Sequence, residues 1–240
     1  MKKLVTLCLA LSLVTITSAQ WKRVKGNGNV VTIERSTGDY DAVMVSGFFD
    51  VDLVDGPEGQ LTLRGEENLL DHIVTEVKGG DLVIKVEKGL NLQPSTWKEG
   101  IHITVPVESI SAVSLSGSGD IVGKKTLKSS NFTTNMSGSG DITLTVDTDN
   151  IEASMSGSGD INLSGRTSNF EVRISGSGDV KAYDLEADNV EATVSGSADI
   201  KVTVNGELKA RVSGSGDIHY RGNPTKIDSK TSGSGDISRG

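Results

Sequence analysis

Ser137-Gly138-Ser139-Gly140-Asp141-Ile142, Ser156-Gly157-Ser158-Gly159-Asp160-Ile161 and Ser175-Gly176-Ser177-Gly178-Asp179-Val180 are successive copies of one motif. The series starts at Ser116, Ser137, Ser156, Ser175, Ser195, Ser213 and Ser232, and the fifth copy carries Ala198 for the second glycine. The steps are 21, 19, 19, 20, 18 and 19 residues. A unit recurring every ~20 residues buries its apolar face only against its neighbours, so the period predicts a solenoid.

Aligned on the first serine as position zero, apolar residues fall at −5, −3 and −1 (Phe170, Val172, Ile174; Val190, Ala192, Val194) and resume at 5, 7 and 9 (Ile200, Val202, Val204). The even positions between them are polar: Glu171, Arg173, Lys201, Thr203, Lys209, Arg211. Period-two alternation is the signature of a strand with one dry and one wet face. Each coil is therefore read as two short strands, with turns at Ser164–Asn169 and Asn205-Gly206 whose Gly and Asn take the less usual dihedrals. The same parity points both motif glycines inward and both serines and the aspartate outward. Ala198 shows that the second glycine needs smallness, whereas the first, without exception, needs a close approach or a positive φ.

Upstream, Val45-Ser46-Gly47-Phe48-Phe49-Asp50-Val51-Asp52-Leu53 keeps the frame with Phe in place of Ser and Gly, and Gly26-Asn27-Gly28-Asn29-Val30 reads as a weaker, earlier copy. Between Leu53 and Ser109 the repeat is lost. Strand-like runs occur there at 61–63, 73–77, 82–86 and 101–105, with a hairpin turn at Lys78-Gly79-Gly80-Asp81, a helical turn at Asn68–Asp71 and a loop over 88–100. In the last copy Ser229 and Thr231 replace apolar residues, which closes off the core. The expected architecture is all-β: a parallel β-helix of ~19-residue coils preceded by an irregular β region.

The chain opens with Met1-Lys2-Lys3, an apolar run to Ile16 and Thr17-Ser18-Ala19-Gln20, the pattern of a secretory signal peptide over 1–19. The run is too short for a resident membrane helix. Cys8, the single cysteine, lies inside it, so the mature chain has no disulfide and no thiolate ligand. The organisation read from this is a leader (1–19), a lead-in (20–37) and one domain (38–237), irregular to about 110 and regular over 111–237. Net charge is −8, more negative still without Lys2 and Lys3, which argues against nucleic acid and anionic membrane surfaces as partners. Aromatics make up 4% and glycines number 29, as suits a thin solenoid core.

These residues resemble the auto-transporter adhesin head GIN domain family of exported bacterial proteins. The resemblance rests on Val45–Val51, on Glu67-Asn68-Leu69-Leu70 followed by Gly80-Asp81-Leu82, and on the serial Ser-Gly-Ser-Gly-Asp copies, over roughly 38 to 237. It implies a right-handed β-helix akin to pectin-lyase-like folds and a role in adhesion, in the periplasm, at the cell surface or outside the cell. It transfers no functional residues. No membrane barrel follows Gly240, so self-translocation is not expected.

Two repeated features are candidates for chemistry. Asp120, Asp141, Asp160, Asp179, Asp199, Asp217 and Asp236 point outward and stack ~4.8 Å apart, where like charges repel by about 0.9 kcal/mol in water. The plain reading is that each carboxylate accepts a backbone N–H of the following turn; the sharper one is a calcium ladder. Ser116, Ser118, Ser137, Ser139, Ser156, Ser158, Ser175, Ser177, Ser195, Ser197, Ser213 and Ser215 form outward hydroxyl rows, suited to polysaccharide or ordered water, or chosen as small polar residues for a wet strand. His72, His102 and His219 are isolated, so a zinc site is not expected. The acids are copies of one another, and no nucleophile elbow or Gly-rich phosphate loop precedes a helix. The expectation is a non-enzymatic exported module without cofactor, whose partner is surface polysaccharide or another envelope protein. The competing readings are a polysaccharide-active enzyme on a β-helix and a purely structural envelope protein.

Overall fold

The structure, a computed structural model, describes residues 21–96 and 100–240. The expected leader over 1–19, with Cys8, lies outside the described residues. The inward ladder is present. Ile121, Ile142, Ile161, Val180, Ile200 and Ile218 are lateral partners in successive parallel strands. All six are fully buried, and Val51 and Ile237 extend the ladder at its two ends. Alternation explains this directly: a one-residue slip would turn every one of these side chains outward.

The strands are longer than expected. β11 (Ile121–Gly138), β12 (Ile142–Gly157), β13 (Ile161–Gly176) and β14 (Val180–Gly196) each run through the middle of a coil without a break. Ser164–Asn169 is therefore not a turn; β13 passes through it with only Gly165 at positive φ (110°). Stacking explains the difference, because the bent backbone keeps its partners in the coils on both sides. A coil is divided at Asn205-Gly206, into β15 (Ile200–Val204) and β16 (Glu207–Gly214), and the next coil is divided again after Arg221. Neither Asn205 nor Gly206 has a positive φ, and among the described residues none but glycine does. The coils of β11 to β14 are cut once, at the Ser-Gly-Asp corner. The array closes with β17 (Ile218–Arg221), β18 (Lys226–Gly233) and β19 (Ile237–Arg239); β18 is exposed throughout, in line with Ser229 and Thr231.

The irregular region holds two genuine rungs. β3 (Ala42–Gly47) pairs residue for residue with β10 (Ala112–Gly117), Ser46 on Ser116 and Gly47 on Gly117. β4 (Asp50–Asp55) lies beside the start of β11. On their other side, β3 is parallel to β7 (Asp81–Val86) and β4 to β9 (His102–Val107). The outermost rung thus comes later in the sequence than the rung beneath it. Antiparallel strands cover it: β6 (Ile73–Lys78) pairs with β7 through the Gly79-Gly80 hairpin, and β5 (Gln60–Glu66) pairs with β9 and with β2 (Val30–Ser36). A single helical turn, α1 (Glu67–Leu70), buries Leu69 and Leu70.

Two expectations need correction. Part of 88–100 is a strand, β8 (Leu90–Gln93), which pairs with β1 (Lys22–Lys25) in a separate two-stranded sheet. Leu90 and Leu92 alternate with Asn91 and Gln93, but the partner is ~70 residues away in sequence, beyond local reading. Gly26–Asn29 is not an early coil; it is a loop wrapped around the Glu66 carboxylate, and a Cβ on Gly26 would collide with it. The buried side chains form one continuous cluster from Tyr40 to Ile218. No helix of the described residues is long and apolar enough to cross a membrane.

Candidate functional site

Each Ser-Gly-Ser-Gly-Asp copy begins as the last two residues of a strand and ends as a bend leading into the next. The copies therefore line a corner of the solenoid rather than a flat strand face. The corner is tight because the first glycine is extended with φ of the wrong sign for a side chain. At Gly138 φ is 147°, and a Cβ there would strike the carbonyl oxygen of Gly117 in the coil before. The second glycine lacks a positive φ, and Ala198 fills its place fully buried. Smallness and the positive φ are thus divided between the two positions as the sequence indicates.

The aspartates do not accept from their own turn. Each carboxylate accepts the backbone N–H of the equivalent aspartate in the next coil. Asp120 donates to Asp50 Oδ1 at 3.3 Å, Asp141 to Asp120 at 2.9 Å and Asp160 to Asp141 at 2.8 Å. The series continues with Asp179 to Asp160 at 3.1 Å, Asp199 to Asp179 at 3.0 Å, Asp217 to Asp199 at 2.9 Å and Asp236 to Asp217 at 2.7 Å. The aspartate carbonyls run the other way, accepting from the residue after the aspartate in the preceding coil (Ile142 N–H to Asp160 O, 2.9 Å). Asp is thus a coil-to-coil staple, placed by the stacking register, and Asp50 of the upstream coil belongs to it. Lys181 pairs with Asp160. Burial pushes the Asp160 pKa up, but the Lys181 hydrogen bond, the Asp179 N–H and the Lys181 and Lys201 charges outweigh it and hold the pKa below its ordinary value. Among the described residues no group of three or more His, Cys, Asp or Glu is arranged to hold a metal ion.

The serines are exposed at both positions in all the copies from Ser116 to Ser215. Those at position zero are lateral partners from coil to coil. None of these twelve hydroxyls hydrogen-bonds within the described protein. They present two parallel rows of free donors and acceptors at a spacing of about 4.8 Å. A shallow trough runs beside the position-zero row, bordered by Met44, Ser114, Asn135, Arg173 and Thr193.

A second ladder escaped sequence reading. Asn150 donates its side-chain amide to Asn131 at 3.0 Å, Asn169 to Asn150 at 2.8 Å and Asn189 to Asn169 at 3.1 Å; the Glu207 N–H then caps Asn189 at 3.2 Å. The signal was an Asn six residues before the motif in four consecutive copies. This ladder edges another trough that contains Glu152, Glu171, Glu191 and Lys209. The histidines stay apart: His72 meets Glu87 at 2.9 Å, His102 meets Asp50 at 3.7 Å and His219 meets Ser238 at 3.1 Å.

The family profile described as "putative auto-transporter adhesin, head GIN domain" matches residues 39–224. No curated protein matches the chain. Among solved structures, a "putative adhesin" of Bacteroides fragilis NCTC 9343 is 22% identical, with 90% of this chain and 99% of that one aligned at a TM-score of 0.80. A "putative lipid binding protein" of Parabacteroides distasonis ATCC 8503 is 30% identical, with 91% and 100% aligned at 0.73. A "putative adhesin" of Parabacteroides merdae ATCC 43184 is 21% identical, with 91% and 99% aligned at 0.73. With a profile match over residues 39–224, most of its length, the chain belongs to the auto-transporter adhesin head GIN domain family.

Proposed function

We propose that residues 38–237 act as one exported, non-enzymatic binding module of the adhesin type, and that the Ser-x-Ser-x-Asp corner is its binding surface. The leader reading of 1–19 supports export to the periplasm, the cell surface or the medium. The observation that carries the proposal is the pair of straight rows of exposed, unpartnered serine hydroxyls. Such rows suit a polymer that repeats its own hydroxyls, so surface polysaccharide is the partner class. The aspartates behind the serines are committed to the backbone, and they act as scaffold rather than as metal ligands or as acid and base.

The test is glycan-array binding of the chain from Gln20, with and without calcium, beside a variant carrying Ser137→Ala, Ser156→Ala and Ser175→Ala. Binding that disappears in the variant at an unchanged melting temperature supports the reading. Retained binding moves the surface elsewhere. Turnover of a bound polysaccharide that is abolished by changing one aspartate would overturn the non-enzymatic assignment.

A further inference from the structure

The molecule is acidic overall, at −8, yet its cations are not evenly spread. Several on the coils meet carboxylates: Lys124 with Asp52, Lys125 with Asp55, Lys209 with Glu191 and Lys226 with Glu207. On the β1–β8 flap they do not. Lys22, Arg23 and Lys25 are exposed on β1, and Lys88 is exposed just before β8, one residue from the Gly89 carbonyl that accepts the Lys22 N–H. None of the four has an ion-pair partner among the described residues. The neighbouring acids are occupied: Glu67 accepts from Asn29, Glu87 meets His72, and Glu66 is buried beneath the loop.

Trp21 precedes this strand and is 61% exposed. Val24 packs on the core, with Leu92 beside it in register. Strand alternation therefore puts Trp21, Arg23 and Lys25 on the outer side together. The flap is held firmly for so small a sheet. The Glu66 carboxylate accepts the Gly28 and Ser95 N–H groups, and the Asn68 amide donates to the Lys25 carbonyl at 2.7 Å. It is thus fastened to β5 and α1, beside the antiparallel strands that cover the β7–β9 rung.

We propose that this flap is a membrane-surface contact, in which Trp21 enters the headgroup layer of an anionic bilayer while Arg23, Lys25 and the neighbouring Lys88 meet its lipid phosphates. The cations alone would fit any polyanion. The exposed indole beside them selects the bilayer, because Trp sits at the membrane–water interface with its apolar body in and its N–H wet. Each Lys or Arg held near an anionic leaflet adds about a fivefold gain in partitioning. The net charge, which by itself argues against an anionic membrane surface, is screened beyond a Debye length of about 8 Å, so the local cations decide. The consequence goes beyond the binding reading of the serine corner: the flap, and not that corner, is the part of the molecule that meets the surface.

The test is co-flotation of the chain from Gln20, which lacks the apolar leader, with vesicles of phosphatidylcholine alone or mixed equally with phosphatidylglycerol. Flotation with the mixed vesicles only, lost at high salt, is expected. Arg23→Glu with Lys25→Glu should reduce it more than about 25-fold. Lys128→Glu with Lys230→Glu, an equal charge change on exposed coil positions, should leave most of it. In a Trp97→Phe background, Trp21 emission should shift to the blue on anionic vesicles. Equal flotation with neutral vesicles, an equal loss in both charge variants, or an unshifted emission would each overturn the proposal. Binding to a soluble polyanionic polysaccharide without binding to the vesicles would reassign the cations to that polymer.

Discussion

Gly138 admits no side chain, because its φ of 147° and the Gly117 carbonyl both exclude one. Gly138→Ala is expected to destabilise by about 2 kcal/mol or more, read from the denaturant midpoint at unchanged slope. Thr134 is the opposite case. It is fully buried between Val113 and Ala153, and its hydroxyl has no partner. Thr134→Val, which keeps the shape and removes the orphan, should stabilise by about 1 kcal/mol in the same assay. Glu66 makes stability depend on pH. Burial raises its pKa, but the hydrogen bonds from Gly28 and Ser95 outweigh burial and hold it below the ordinary 4.5. A carboxyl with a depressed folded pKa contributes its stability above the unfolded value and loses it as the pH falls through the folded one. The wild type should therefore lose stability below about pH 4.5 faster than Glu66→Gln does, and parallel pH–melting curves would contradict the assignment. For the Asp staple, millimolar calcium should leave the melting midpoint unchanged. An occupied site at a hundredfold excess over Kd would instead add about 2.7 kcal/mol.

At the level of the strand, burial follows parity. Ile174→Asp would put an unpaired carboxylate into a dry stack and should cost about 4 kcal/mol or more, whereas Thr143→Lys on the wet face should stay within about 0.5 kcal/mol. The Asn ladder adds a graded test. Asn150 and Asn169 each give and receive an amide bond, whereas Asn131 only accepts, so Asn150→Ala should cost about twice as much as Asn131→Ala. This level also shows what local reading can see. The strands of the array were legible because apolar and polar residues alternate without a slip through Phe170–Ile174 and Ile200–Val204. The expected turn at Ser164–Asn169 was not, because Gly, Ser and Asn are turn residues only when the backbone lacks a lateral partner, and here Thr167 and Asn169 have partners in both neighbouring coils. The loop expected over 88–100 failed for the same reason, since a four-residue strand such as β8 exists only through β1.

For the whole molecule, stability should behave as a sum over rungs and their contacts. Removing 142–160 joins Asp141 to Ile161, the lateral partner of the Ile142 it replaces, and should leave a folded chain with a modestly lower melting temperature by circular dichroism. Removing 42–55 should abolish the cooperative transition. β3 and β4 lie between β7–β9 and β10–β11, so their loss separates the capped end from the array.

The sequence alone determined the coil length, the inward ladder from Ile121 to Ile218, the division of labour between the two glycines and the upstream frame at Val45–Leu53. All of these follow from a period and a parity, which are local properties of the chain. Tertiary structure decided the rest. It placed β7 and β9 outside the earlier rung, joined β1 to β8 and held Trp21, Arg23 and Lys25 together on the outer side of that flap. It also turned the aspartates from turn acceptors into staples between coils. Each of these depends on which backbone lies next to which across tens of residues of sequence, and hydrogen-bonding groups of the backbone are alike in every residue. Their partners are therefore chosen by the stack and not by the side chains that local reading inspects.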